Sequence, residues 1–136
     1  MACLDTSAIL DLTAPVTTAA ALRVRALLSG LADRGESFAT TRFTVAELLV
    51  GVERSRDAER EARRVAAALT GLDILEFDQA GAASFARIKA DLLRTGRPVG
   101  DLDILIGATA LAHGETMVTR NSRDFDGMPG LRVLGY

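Results

Sequence analysis

Five short apolar segments alternate with stretches of helical periodicity, and this alternation constrains the fold of the chain more than any other feature. The segments are Ala2 to Leu4, Ser37 to Thr40, Leu72 to Phe77, Thr116 to Thr119 and Leu131 to Leu134, each of a length and composition that suits a buried strand. Between them, Asp5-Thr6-Ser7 caps a helix through Ala8 to Leu12, which Pro15 stops. Thr17 or Thr18 starts a second helix, to about Asp33, and Gly35 ends it. Thr41 or Thr44 caps a helix from Phe43 to about Arg54, and a charged helix follows from Asp57 to Leu69. Another opens at Asp78 and ends near Thr95, Gly96 to Gly100 form a loop, and Leu102 to His113 form a helix closed by Gly114. Strands this short and apolar, separated by helices, predict an α/β fold: a three-layer sandwich whose central, mostly parallel sheet is covered on both faces. Ligands bind such sheets at the carboxyl ends of the strands. The 136 residues fit one domain, 1–136, with no repeat or linker.

Four acids stand where such elements would aim them at one point: Asp5, Glu47, Asp103 and Asp124. Each is embedded in apolar or small residues, where an ionised carboxylate is costly unless paired or bound to a cation. The sequence offers no obvious basic partner for all four. Carboxylates forced together raise one another's pKa, so a cluster kept ionised at neutral pH is expected to surround a hard divalent cation, Mg²⁺ or Mn²⁺, acting on phosphate esters. On the helix from Phe43, apolar residues fill most of the circumference and Glu47 shares the remaining stripe with Thr44 and Gly51, small residues expected to leave room above the carboxylate. Asp103 likewise shares a stripe with Gly107 and Ala110. The plainer reading makes Asp5 and Asp103 helix caps and Asp124 a turn residue.

A net charge of −2 sits poorly with a nucleic-acid partner, yet setting the four acids aside leaves an excess of basic groups, and 15 of the 16 basic residues are Arg, which forks onto phosphate. RNA therefore stays a plausible partner. The lone Cys3 excludes an intrachain disulfide and reads as a small core residue. No apolar run approaches the roughly 20 residues that span a bilayer, so no membrane insertion and a cytoplasmic location are expected.

Together MACLDTSAILDL, TTRFTVAELLVGVERS, RPVGDLDILIGATALAHG and TMVTRNSRDFDGMPGLRVL resemble the PIN-domain family, specifically its VapC-type toxins of toxin–antitoxin pairs, over essentially the whole chain. The resemblance implies a PIN-like sandwich and a metal-dependent ribonuclease whose acidic pocket is Asp5, Glu47, Asp103 and Asp124, with Asp5 and Asp103 as direct Mg²⁺ ligands and Mn²⁺ able to substitute. Asp103, not Asp101, is the acid that precedes the apolar stretch in the family pattern. Gly107 departs from it, since Ala is usual there. Thr6 or Ser7 would supply a hydroxyl to water or phosphate, Asn121 would fix the loop and carboxylate network, and Arg120 and Arg123 would grip RNA phosphates. Glu47 or Asp124 would orient the attacking water or complete a second metal site. The implied partners are an RNA substrate and a small antitoxin that blocks the pocket, in a homodimer and a hetero-oligomer. The broad apolar arc of the helix from Phe43 is the one sequence hint of such an interface.

Other readings fit less well. A phosphotransferase with Asp5 as nucleophile lacks the second Asp two residues on. A receiver domain wants a late Lys, whereas Lys89 lies within a helix. A PIN endonuclease for RNA maturation outside a toxin pair, or a non-catalytic module on promoter DNA, remain as alternatives. His113 reads as a helix-end residue and the mixed-charge run from Glu53 as a solvated face.

Overall fold

The computed structural model describes Met1–Tyr136 and contains β1 (Ala2–Leu4), α1 (Thr6–Thr13), α2 (Ala19–Ala32), β2 (Phe38–Thr41), α3 (Arg42–Glu53) and α4 (Ala58–Leu69). These are followed by β3 (Asp73–Leu75), α5 (Gln79–Arg94), α6 (Asp101–Ala112), β4 (Thr116–Thr119), α7 (Ser122–Phe125) and β5 (Arg132–Gly135). The strands form one sheet in the order β3-β2-β1-β4-β5, and every pairing is parallel. The three-layer α/β/α reading therefore holds, with a wholly parallel sheet.

Alternation along the two central strands feeds two cores. In β1, Cys3 points into a cluster with Ile88 and Leu92 of α5 and Ile104 and Ala108 of α6, while Ala2 and Leu4 point into one with Ile9, Val24, Leu28, Leu48 and Val65 from α1 to α4. In β4, Met117 and Val118 divide between the clusters in the same way. Burial pushes the Cys3 thiol up to about 12, so it is an inert packing group. The charged α4 buries Val65 alone and carries the exposed ion pairs Arg63–Glu59 and Arg64–Glu61, as expected for a solvated face. No helix is long and apolar enough to cross a membrane.

The differences from expectation lie at sheet edges and in one short turn. β3 stops at Leu75 instead of reaching Phe77 because it has only β2 to pair with. The Phe77 ring then packs edge-on against Phe43 at 5.3 Å, and Glu76 pairs with Arg42. β5 is displaced by one residue to match its β4 register, which ends at Thr119 opposite Gly135. The segment read as a turn around Asp124 is a single helical turn, α7, anchored by the fully buried Phe125. Four residues are too few for periodicity to reveal.

The chain runs from β1 to β2 and β3 on one side, and β4 and β5 lie on the other, so the strand order reverses between β1 and β4. The carboxyl ends of those two strands flank the crevice where an open parallel sheet binds ligands. Gly107, buried on α6, faces the segment between α7 and β5: a Cβ there would run into the sulfur of the buried Met128 side chain, which would have to shift, and come within 3.3 Å of Leu131.

Gly107→Ala is expected to lower stability by about 1 kcal/mol, because overpacking of about 1–3 kcal/mol outweighs a helix-propensity gain of about 1. In a Met128→Ala background the same change should become stabilising. Urea midpoints of the four proteins test this, and an equal loss in both backgrounds would show that Met128 is not the obstacle.

Candidate functional site

Asp5 follows β1 directly and caps α1. Its Oδ1 accepts the Ala8 N–H at 2.8 Å, its own N–H donates to the Val118 carbonyl of β4 at 3.1 Å, and its side chain is buried. Cap and charged site are thus one residue. The Ser7 hydroxyl donates to Oδ1 at 2.7 Å and the Thr119 hydroxyl to Oδ2 at 2.6 Å. Each hydroxyl in turn accepts a backbone N–H, Ser7 from Arg120 at 3.0 Å and Thr119 from Asn121 at 2.9 Å. Those N–H groups leave each hydroxyl proton free to point at Asp5. The bonds favour the ionised carboxylate, yet burial and then the nearby Glu47 work against it, and the Asp5 pKa is raised on balance, desolvation being the largest cause.

Glu47, half-buried on α3, accepts from the Thr6 hydroxyl of α1. Asp103 lies in the first turn of α6, whose N-cap is Gly100 and makes no side-chain cap bond, so the cap reading of Asp103 fails. Its pKa is raised first by desolvation and then by the charges of Asp124, Glu47 and Asp5 in that order. The charges of the other three expected acids therefore all reach Asp103. Asp101 points elsewhere, to Lys89 at 2.8 Å.

The supporting residues divide. Thr6 and Ser7 both donate their hydroxyls to carboxylates of the site, Glu47 and Asp5 respectively. Asn121 contributes its backbone N–H; its side chain is exposed and caps nothing. Arg123 is exposed, whereas the Arg120 guanidinium is taken up by Asp11 at 2.7 Å. The small-residue clearance holds only at Gly51, which has nothing within 4 Å. Thr44 is buried against Thr41, and Gly107 and Ala110 are core. Thr119, Asp11 and Tyr136 were missed by sequence reasoning. Position at the end of an apolar strand beside the switch point was a usable signal for Thr119; none marked the other two.

An open groove of about 540 Å³ adjoins Glu47, alone of the four acids, and is lined also by Thr6, Leu10, Val50, Arg54 and Glu61 among others. A larger recess of about 640 Å³ between α5 and the end of α6 offers Arg87 as its one charged side chain and lies away from the carboxylates. Chemistry, not volume, locates the site. Its donors are carboxylate and hydroxyl oxygens with no cationic side chain among them, a set suited to a hard cation. No three acidic side chains close into a ready-made cage. The donor set thus suits Mg²⁺ or Mn²⁺, which keep several waters and take one or two carboxylates, and Asp5 at the start of α1 and Asp103 in the first turn of α6 are the acids that would supply them.

The PIN domain family model matches residues 2–131. The chain is 38% identical over 90 residues, 66% of this chain and 68% of the relative, to the tRNA(fMet)-specific endonuclease VapC of Shigella flexneri. It is 35% identical over 110 residues, 81% and 83% of the two chains, to Ribonuclease VapC2 of Haemophilus influenzae. Among solved structures, DNA-bound VapBC from Salmonella typhimurium matches with a TM-score of 0.84 and 28% identity over 99% of this chain and 98% of that one. VapBC2 from Rickettsia felis, bound to a DNA fragment from its promoter, matches at 0.87 with 24% identity over 98% and 97%, a likeness of fold.

The raised pKa values of Asp5 and Asp103 mean that the folded, metal-free protein holds these protons more tightly than the unfolded chain. That contribution is complete below the ordinary carboxylate pKa and is lost as pH rises through the raised values. Asp103→Asn is therefore expected to raise the melting temperature at neutral pH in a chelator, with a gain that shrinks on acidification. A gain independent of pH would exclude charge repulsion as its source.

Proposed function

The chain belongs to the PIN-domain family, in its VapC group, and on that premise we propose that it is a metal-dependent endoribonuclease, the toxic member of a toxin–antitoxin pair inhibited by a small antitoxin protein. The observation that carries the reading is the convergence of Asp5, Glu47, Asp103 and Asp124, without a basic partner, at the switch point of a parallel sheet. Asp5 and Asp103 would hold Mg²⁺, or Mn²⁺ in its place. Such a cation polarises water and neutralises charge building on phosphate oxygens.

The chain's own groups do the rest. The Ser7 and Thr119 hydroxyls and the Ala8 N–H fix the orientation of Asp5 and hold it as an acceptor. Thr6 occupies one oxygen of Glu47 and leaves the other free to orient a water and take its proton as that water attacks the phosphorus in line. Asp124, whose charge acts most strongly on Asp103 among the acids, is the second group able to do so. No side-chain nucleophile is required. Exposed Arg123 supplies a contact for RNA phosphate.

The antitoxin and the hetero-oligomer are supported by the VapBC complexes whose folds this chain shares. Leu10 and Val50, 42% and 55% exposed on the groove beside Glu47, provide apolar surface for such a partner to cover, and Leu49 extends the exposed arc of α3. A homodimer and a cytoplasmic site of action complete the proposal.

Purified protein is expected to cut total cellular RNA into discrete fragments with Mg²⁺ or Mn²⁺ and not with EDTA. Asp5→Asn or Asp103→Asn should reduce cleavage by at least about 10²-fold, the scale of one preorganised electrostatic contact. Cleavage that persists in EDTA or in either variant would remove these acids from the reaction.

A further inference from the structure

Asp11 is a buried carboxylate that the proposed reaction does not use. It lies in the last turn of α1, the helix that Asp5 caps. Both its oxygens accept from Arg120 Nη1, at 2.7 and 3.0 Å, and Oδ2 also accepts the Tyr136 hydroxyl at 2.8 Å. Arg120 is the middle residue of the segment that controls Asp5. Its N–H fixes the Ser7 hydroxyl, and its neighbours are Thr119, which donates to Asp5, and Asn121, whose N–H fixes Thr119. The same segment leads into α7 and Asp124. One end of this hydrogen-bonded chain is thus the carboxylate expected to hold a cation, and the other end is a clasp from α1 to the residues after β4 and to Tyr136 beyond β5.

We propose that Asp11 is a positioning residue for the acidic site: by clasping Arg120 and Tyr136 it sets the two hydroxyl donors on Asp5 and the path of the chain to Asp124. Two further observations support this. Asp11 is buried while the Arg120 side chain is 47% exposed, so the pair is held by the carboxylate's need for a partner: withdrawing the guanidinium would leave a buried charge with the Tyr136 hydroxyl alone. The clasp also accounts for every oxygen that Asp11 presents, which leaves its own helix bound to both strands on the far side of the switch point. A guanidinium held in this way serves the site from behind, and the role of phosphate grip expected for Arg120 falls to Arg123. The inference rests on the ribonuclease reading and assigns how its carboxylates are held.

The test uses the full chain with Asp11→Ala, Arg120→Ala, the double variant and Tyr136→Phe. It measures Mn²⁺ binding to metal-free protein by calorimetry and, separately, kcat and KM for RNA cleavage. Loss of a residue that orients a ligand typically weakens metal binding or activity by about 10–100-fold. Asp11→Ala is expected to weaken Mn²⁺ binding by that factor and to lower kcat with little change in KM, and the double variant should be no worse than either single one. If Asp11→Ala leaves Mn²⁺ affinity and kcat intact while Arg120→Ala raises KM alone, Arg120 grips RNA and the proposal is overturned. Absence of Mn²⁺ binding in the parent overturns it too. Should Asp11→Ala fail to fold by circular dichroism, Tyr136→Phe carries the same comparison, and unchanged Mn²⁺ affinity in that variant sinks the clasp. The ribonuclease reading fails in a different way, through absence of RNA cleavage by a parent protein that binds Mn²⁺ normally.

Discussion

The structure depends on one buried carboxylate at the end of its central strand. Asp5 terminates β1, caps α1, bonds to β4 through its backbone and takes two hydroxyl protons on its side chain. These roles reinforce each other: a helix N-terminus favours negative charge, and the hydroxyls replace the water lost on burial. Burial still wins, and the pKa is raised. The fold thus holds an ionisable group where its charge is disfavoured, which is the condition under which a cation binds most usefully.

The same logic explains why the acids come from four separate elements. One helix could not aim four carboxylates at one point, since side chains on a helix spread over its circumference. The carboxyl end of a parallel sheet, by contrast, gathers a strand end, two helices and a short turn around one crevice. Like charges gathered there destabilise the metal-free chain, so this is a site where function opposes stability. The compensation is packing elsewhere, in two cores on either side of the sheet and in contacts as tight as Met128 over Gly107.

How much of this the sequence made legible follows from the range of each interaction. Strand and helix types were legible because burial patterns and caps are local: Asp5, Thr18, Thr41, Asp57 and Asp78 all cap helices with their side chains. The ends of β3 and β5 were not, because a partner strand or an aromatic contact sets them. Asp5, Glu47 and Asp103 stood out because each interrupts apolar or small residues, whereas Asp124, between Arg123 and Phe125-Asp126, was marked by the family resemblance of its segment. Asp11 did not stand out. Its partners lie 109 and 125 residues away, and Leu-Asp-Leu-Thr reads like any helical turn with one polar residue. The Arg120–Asp11 bond was illegible for the same reason, as an arginine after a strand looks equally suited to bind phosphate or a hidden carboxylate.

That distinction bears on how an acidic crevice in a chain of net charge −2 meets a polyanion. Several of the arginines are already spoken for: Arg42 by Glu76, Arg64 by Glu61, Arg94 by Asp91 and Arg120 by Asp11. The exposed pairs among these exchange readily with water and with phosphate, because surface ion pairs contribute little. The Asp11 pair does not exchange so easily, since withdrawing the guanidinium would strand a buried charge. On the proposed reading, RNA would be drawn in by the exposed arginines around the rim and by a cation held at the acids, while the pair on buried Asp11 would keep those acids in place. On that reading, the arginines free to meet phosphate and the arginine that shapes the site differ in how deeply their carboxylate partner is buried, not in their own exposure, a property that only the folded chain reveals.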